Sequence, residues 1–145
     1  MNKINIAIIV SEFNQKITSA LLEGALSALA KASIRSDQLH VVKVPGAGEI
    51  PLIAKVLAKK NKYDAIICLG AVIRGDTDHY DYVCQQVSQG YQHVMLEFEI
   101  PLIFGVLTTH NEEQAWARLG GAEGHKGEDA AMTALSMIKL MRELG

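Results

Sequence analysis

Little in this sequence is suited to cross-linking, to holding a polyanion or to crossing a membrane. Its only cysteines, Cys68 and Cys84, lack the second pair that a four-ligand zinc site needs. Cys68 falls in an apolar run and reads as a buried small hydrophobe, so both thiols are expected to be reduced and chemically idle. The three prolines mark turns rather than linkers, and no low-complexity stretch or repeat divides the chain. A net charge of −2 with no basic stripe gives no means of neutralising phosphates in bulk, which argues against a nucleic-acid partner. Apolar runs are short and interrupted, so no membrane-spanning helix is expected. Met1-Asn2-Lys3 with the run Ile4 to Val10 is too compact for a signal peptide with its cleavage site, which makes a cytoplasmic protein the expectation.

What is present is the material of a soluble globular protein, with 49% hydrophobic and 21% charged residues. At 145 residues the chain is expected to form one domain, residues 1–145, burying about two-thirds of its unfolded surface. The pattern alternates strand and helix. Strands are predicted at Ile4 to Val10, Leu39 to Val44, Ala65 to Leu69 and Leu102 to Leu107. Helices are predicted at Thr18 to Ala32, Leu52 to Lys60, His79 to Leu96, Glu112 to Leu119 and Glu128 to Leu144. The first strand is a nearly continuous β-branched run, as a strand covered on both faces requires. Alternation of this kind predicts an α/β protein with a parallel sheet and helices on both sides.

Such sheets bind ligands beyond the carboxyl ends of their strands. The residues there are Ser11-Glu12-Phe13-Asn14, Pro45-Gly46-Ala47-Gly48-Glu49, Ala71 to His79, and Thr108-Thr109-His110. Three of these four loops hold the chain's most unusual residues. Gly70 and Gly75 have the spacing of a nucleotide-triphosphate loop, but Asp76-Thr77 stands where Lys-Ser/Thr is needed. Backbone amides and the Thr77 hydroxyl at such a turn still suit a single phosphate.

His79 opens the next helix, and a histidine both takes and gives a proton near neutral pH. The plainer alternative is a surface histidine at an acidic helix start; a metal site would need more ligands than its neighbours supply. Phe13 either stacks on a ligand or staples its turn to the following helix. Glu49 either accepts from a polyol or amine, or sits as a first-turn carboxylate. Phe104, inside a strand, is core by default. Arg118 and Lys126 flank a glycine-rich segment, either gripping a phosphate or as solvated charges at helix ends.

Taken in order, these residues resemble the lumazine synthase family over nearly the whole chain. The resemblance rests on Phe13-Asn14, on Val44-Pro45-Gly46-Ala47-Gly48-Glu49-Ile50-Pro51, and on Gly70-Ala71-Val72-Ile73-Arg74-Gly75-Asp76-Thr77 with His79 and Asp81-Tyr82-Val83. It continues through Ile100-Pro101-Leu102-Ile103-Phe104-Gly105-Val106-Leu107-Thr108-Thr109, Glu113-Gln114-Ala115, Arg118 and Gly124-His125-Lys126-Gly127. It implies a three-layer αβα sandwich whose four-stranded parallel sheet has the flavodoxin-like order 2-1-3-4. It also implies a transferase of riboflavin biosynthesis that condenses 5-amino-6-(D-ribitylamino)uracil with 3,4-dihydroxy-2-butanone 4-phosphate, without a cofactor or metal.

On this resemblance Phe13 stacks on the pyrimidine with Asn14 beside it. Ala47, Gly48 and Glu49 line the ribityl and uracil site, and Ala71, Val72 and Ile73 offer backbone groups to the uracil. Asp76, Thr77 and Arg118 hold phosphate, His79 is the general acid/base with Lys126 near it, and Phe104 reaches the site from a neighbouring copy. The chain departs from the family pattern at Glu12 (arginine is usual), Gly48 (an aromatic is common), Asp78 and His125. The resemblance implies a homopentamer as the active unit and association with riboflavin synthase. The short Arg118 to Lys126 linker is similar to that of members forming icosahedral shells, whereas the near absence of residues before the first strand leaves less for pairing with a neighbour. The competing expectations are a non-catalytic flavin or lumazine binder that keeps the pocket, and a flavodoxin or receiver module. The last lacks its phosphate cradle or acidic pair here.

Overall fold

The computed structural model describes residues 3–145; Met1 and Asn2, which open the segment weighed against a signal peptide, lie outside the described residues. The chain runs β1 (Ile6–Ser11), α1 (Gln15–Lys31), β2 (Leu39–Val44), α2 (Ile50–Ala58), β3 (Ala65–Ile73), α3 (His79–Phe98), β4 (Leu102–Thr109), α4 (Glu112–Ala117), β5 (Leu119–Gly121), β6 (Gly124–His125) and α5 (Lys126–Leu144). The main sheet has the order β2-β1-β3-β4, with every pairing parallel. None of the described helices is long and apolar enough to cross a membrane.

The alternation of side chains along β1 builds both layers. Ile6, Ile8 and Val10 point to one face, where Leu21, Ala25 and Leu29 of α1 meet Ala130, Ala134 and Ile138 of α5. Ala7 and Ile9 point to the other, against Ile50, Ala54 and Leu57 of α2 and Val87 and Val94 of α3. Each fully buried isoleucine of β1 contributes about 1.5–3 kcal/mol relative to leaving it in water. Burial on both faces accounts for the unbroken apolar run of β1.

Two boundaries differ from the sequence reading in ways that matter for the site. β3 was predicted to stop at Leu69, yet it continues through Gly70, Ala71 and Val72 to Ile73. The extension is held by β4, which itself runs on to Thr109, so that Ile73 pairs with Thr109. Ala71, Val72 and Ile73 are therefore strand rather than loop. Gly70 is needed within the strand, because a Cβ there would lie 2.9 Å from Ser11 Oγ, a buried hydroxyl with no hydrogen-bond partner among the described residues. The glycine-rich segment between Arg118 and Lys126 forms a small antiparallel pair, β5 with β6, carrying Gly120 and Gly124 at positive φ.

Candidate active site

Three chain segments converge at the carboxyl ends of β1, β2 and β3. The turn after β1 is tied to the end of β2 by Glu12 N–H donating to Val44 O at 2.8 Å and Phe13 N–H to Pro45 O at 3.0 Å. Asn14 takes the left-handed conformation at φ 64°, which asparagine tolerates better than most residues, and starts α1. Its side-chain amide donates to Ala71 O at 3.4 Å, joining the first turn to the end of β3. Residues Ala47–Glu49 form one 3-10 turn leading into α2, with Pro51 in the first turn of that helix.

Between these segments and the first turns of α3 lies an open cleft of about 540 Å³. Of the residues singled out in the sequence, Phe13, Asn14, Ala47, Gly48, Glu49, Ala71, Val72, Ile73, Thr77 and His79 line it. The Phe13 ring is 72% exposed, too open for a staple on α1, and forms a free apolar wall. His79 is the first residue of α3, and its backbone N–H donates to Thr77 Oγ1 at 3.3 Å, which fixes the turn bearing both side chains. Asp76 is exposed and lies outside the lining of this cleft.

Arg74 turns to its own chain. Nη1 lies 3.3 Å from Asp81 Oδ1, and the guanidinium stands over the Tyr80 ring at 5.4 Å from its centroid. That geometry assigns it to shaping the start of α3. Burial raises the Tyr80 hydroxyl above its ordinary pKa, with Cys84 adding to the effect, so Tyr80 stays a protonated donor at the cleft wall.

Phe104, Arg118 and Lys126 line a different cleft of about 630 Å³, formed along the β4 edge with α3 and α5. Phe104 on this edge strand is 37% exposed, so the default core placement does not hold. Its ring meets Tyr91 edge-on, with centroids 5.1 Å apart and planes at 77°. Arg118 closes α4 with Nη1 donating to Gln114 O at 2.8 Å. Lys126 begins α5, and its N–H donates to Arg118 O at 2.8 Å. The β5–β6 pair thus returns the chain so that Arg118 and Lys126 line the same cleft. His125 caps α5, its Nδ1 accepting from Gly127 N–H at 3.1 Å and Glu128 N–H at 3.4 Å.

The structure therefore divides most of the sequence-derived residues between two clefts, His79 lining the first and Arg118 the second. Sequence reasoning missed Tyr80, Val83 and Gln86 as cleft residues. The signal for Val83 and Gln86 was the helical spacing from His79, which places positions four and seven residues on along the same face. No group of three or more His, Cys, Asp or Glu side chains suited to a metal ion occurs among the described residues.

The sequence model of a family described as 6,7-dimethyl-8-ribityllumazine synthase matches residues 3–142. The 6,7-dimethyl-8-ribityllumazine synthase of Coxiella burnetii (strain Dugway 5J108-111) is 60% identical over 139 residues, covering 96% of this chain and 92% of that protein. Those of strains CbuG_Q212 and RSA 493 / Nine Mile phase I are 59% identical over the same length, with the same coverage.

Proposed function

The chain belongs to the 6,7-dimethyl-8-ribityllumazine synthase family, and from that premise we propose that its two clefts are complementary halves of one active site, joined when two copies meet. The reaction condenses 5-amino-6-(D-ribitylamino)uracil with 3,4-dihydroxy-2-butanone 4-phosphate and releases phosphate and water, the penultimate step of riboflavin biosynthesis. One observation carries the reading of the site. The candidate proton-transfer group and the candidate anion-binding cations lie in separate, open clefts of the same chain.

Each half suits its task. In the cleft beyond β1 and β3, the flat pyrimidine stacks on Phe13, while the backbone at Ala71, Val72 and Ile73 meets the uracil edge. Glu49 and Gly48 face the ribityl side. His79 takes a proton from the attacking amine and delivers one to the departing hydroxyl as the imine forms, a role typically worth about 10²–10⁴-fold. In the β4 cleft, Arg118 and Lys126 hold the phosphate that is later eliminated, while Phe104 covers the reacting pair. Thr77 supplies a hydroxyl and neighbouring backbone amides to the same phosphate from the His79 side, with Asp76 ordering that turn. Holding two substrates in one geometry supplies much of the remainder, of order 7–11 kcal/mol for well-oriented reactants.

An interface that sets one surface of a chain against a different surface of the next generates a ring when the rotation closes. On this reading the active unit is a cyclic homopentamer, its rings able to pack into an icosahedral shell of about sixty copies, with riboflavin synthase, the next enzyme, as a partner. The chain acts as a single domain, residues 1–145, and works in the cytoplasm on soluble substrates.

The direct test supplies the purified chain with both substrates and follows product absorbance together with phosphate release. Turnover well above the spontaneous condensation is expected, with product and phosphate formed in equal amounts. A rate equal to the spontaneous one would contradict the reading. Sedimentation of the same sample checks for the ring; an active monomer would contradict the shared site.

A further inference from the structure

α3 presents His79, Val83 and Gln86 to the first cleft on one helical face. Gln86 lies two turns beyond His79, about 10 Å along the axis at 1.5 Å per residue. Its carboxamide lies beside Gly48 in the cleft lining. A Cβ on Gly48 would stand 3.6 Å from Gln86 Oε1 and 3.9 Å from Nε2. A side chain at Gly48 reaching beyond Cβ would enter the space that Gln86 fills. The carboxamide forms no hydrogen bond with any described residue, so its donors and its acceptor are free to meet a ligand.

We propose that Gln86 is a substrate-positioning residue that reads the polyhydroxyl chain of the pyrimidine substrate, an inference that rests on the family reaction above. The substrate has three recognisable parts, and the cleft offers a match for each. The flat ring has Phe13 and the end of β3, the reacting amine has His79, and the polyol has what remains of the polar wall, Glu49 and Gln86. A hydroxyl both donates and accepts. A carboxylate only accepts, whereas a carboxamide does both, so Gln86 supplies donors that a carboxylate lacks. Gly48 is then the partner that makes room: its missing side chain lets a polar reader on α3 stand where a bulkier residue would close the wall. A site that hydrogen-bonds substrate hydroxyls also rejects analogues lacking them, because its own polar groups are left unpaired.

The test measures equilibrium dissociation constants of the assembled protein for two pyrimidines, one with the ribityl chain and one with a plain alkyl chain. The four-carbon phosphate is titrated alongside. Gln86→Leu removes the amide at similar size; Gln86→Glu keeps the acceptors and loses the donors. Both variants should weaken the ribityl compound by roughly three- to tenfold. Neither should weaken the alkyl analogue or the four-carbon phosphate. Equal weakening of both pyrimidines, or no change for the ribityl compound, would overturn the proposal. Failure of the family reading is seen separately, as wild-type protein without turnover.

Discussion

His125 and Gly24 occupy one space: a Cβ on Gly24 would lie 2.1 Å from His125 Cε1. The imidazole that caps α5 is thus seated on the bare backbone of α1, and Gly127, two residues on, follows suit, since a Cβ there would lie 2.1 Å from Leu21 O. Helix α5 begins with Lys126, so this contact fixes one of the two cations of the second cleft. Gly24→Ala should destabilise the fold by about 1–3 kcal/mol through overpacking. His125→Ala should cost about 1 kcal/mol through the lost cap, and His125→Asn less. In the His125→Ala background, Gly24→Ala should cost little, because the clashing ring is gone. Chemical denaturation of the four proteins checks this; strictly additive losses would contradict the contact.

His79→Ala should lower turnover by up to roughly 10²–10⁴-fold while leaving both substrates bound, because positioning survives the loss of a proton carrier. Single-turnover kinetics with saturating substrates separates the chemical step from binding. An unchanged chemical rate would remove His79 from the mechanism.

Arg118→Ala should act on binding of the phosphorylated substrate. A charge-assisted hydrogen bond is typically worth about 1.5–3 kcal/mol, so its KM should rise by roughly one to two orders of magnitude. The KM of the pyrimidine should stay within about threefold of wild type, an effect below about 0.7 kcal/mol. A loss confined to the pyrimidine would place the phosphate elsewhere.

Cys68 lies fully within the layer of α2 and α3, and burial pushes its thiol up to about 12 from an ordinary value of 9.0. A raised pKa means that the folded state holds its proton after the unfolded chain has lost it. The stabilisation is therefore complete below about pH 9 and is lost as pH rises from there through about 12. At pH 8 a thiol-specific reagent should label Cys68 only after denaturation, with partly buried Cys84 reacting first. Rapid labelling of Cys68 in folded protein would contradict this burial.

Much of this was legible in the sequence because one constraint governs each part. β1 is apolar from Ile6 to Val10 since both its faces are covered, which made the parallel sheet readable from the run Ile4 to Val10. Phe13, Glu49 and His79 stood out because they follow strand ends, where open α/β sheets bind ligands. The far end of β3 was not legible: Gly70 resembles a strand terminator, and only pairing with β4 carries the strand to Ile73. Phe104 was ambiguous because an edge strand and a central one share the same residue types, whereas its exposure follows from β4 having no neighbour on one side. The separation of Arg118 and Lys126 from His79 could not be read either. It depends on the β5–β6 return, a tertiary feature carried by two glycines at positive φ. Gln86 was hidden because a glutamine on a helix reads as a solvated surface residue until the glycine beside it is known.

The central claim is that His79 of one copy works with Arg118 of another. Its most direct measurement mixes His79→Ala with Arg118→Ala, each impaired when the phosphorylated substrate is kept well below the raised KM, by dissociating and reassembling them together in equal amounts. If the site is shared, random assembly leaves about a quarter of the sites with both wild-type groups, and activity should return to about that fraction of wild type. If His79 and Arg118 act within one chain, every site in the mixture carries a defect and the activity stays at the level of the two separate variants, which would contradict the account.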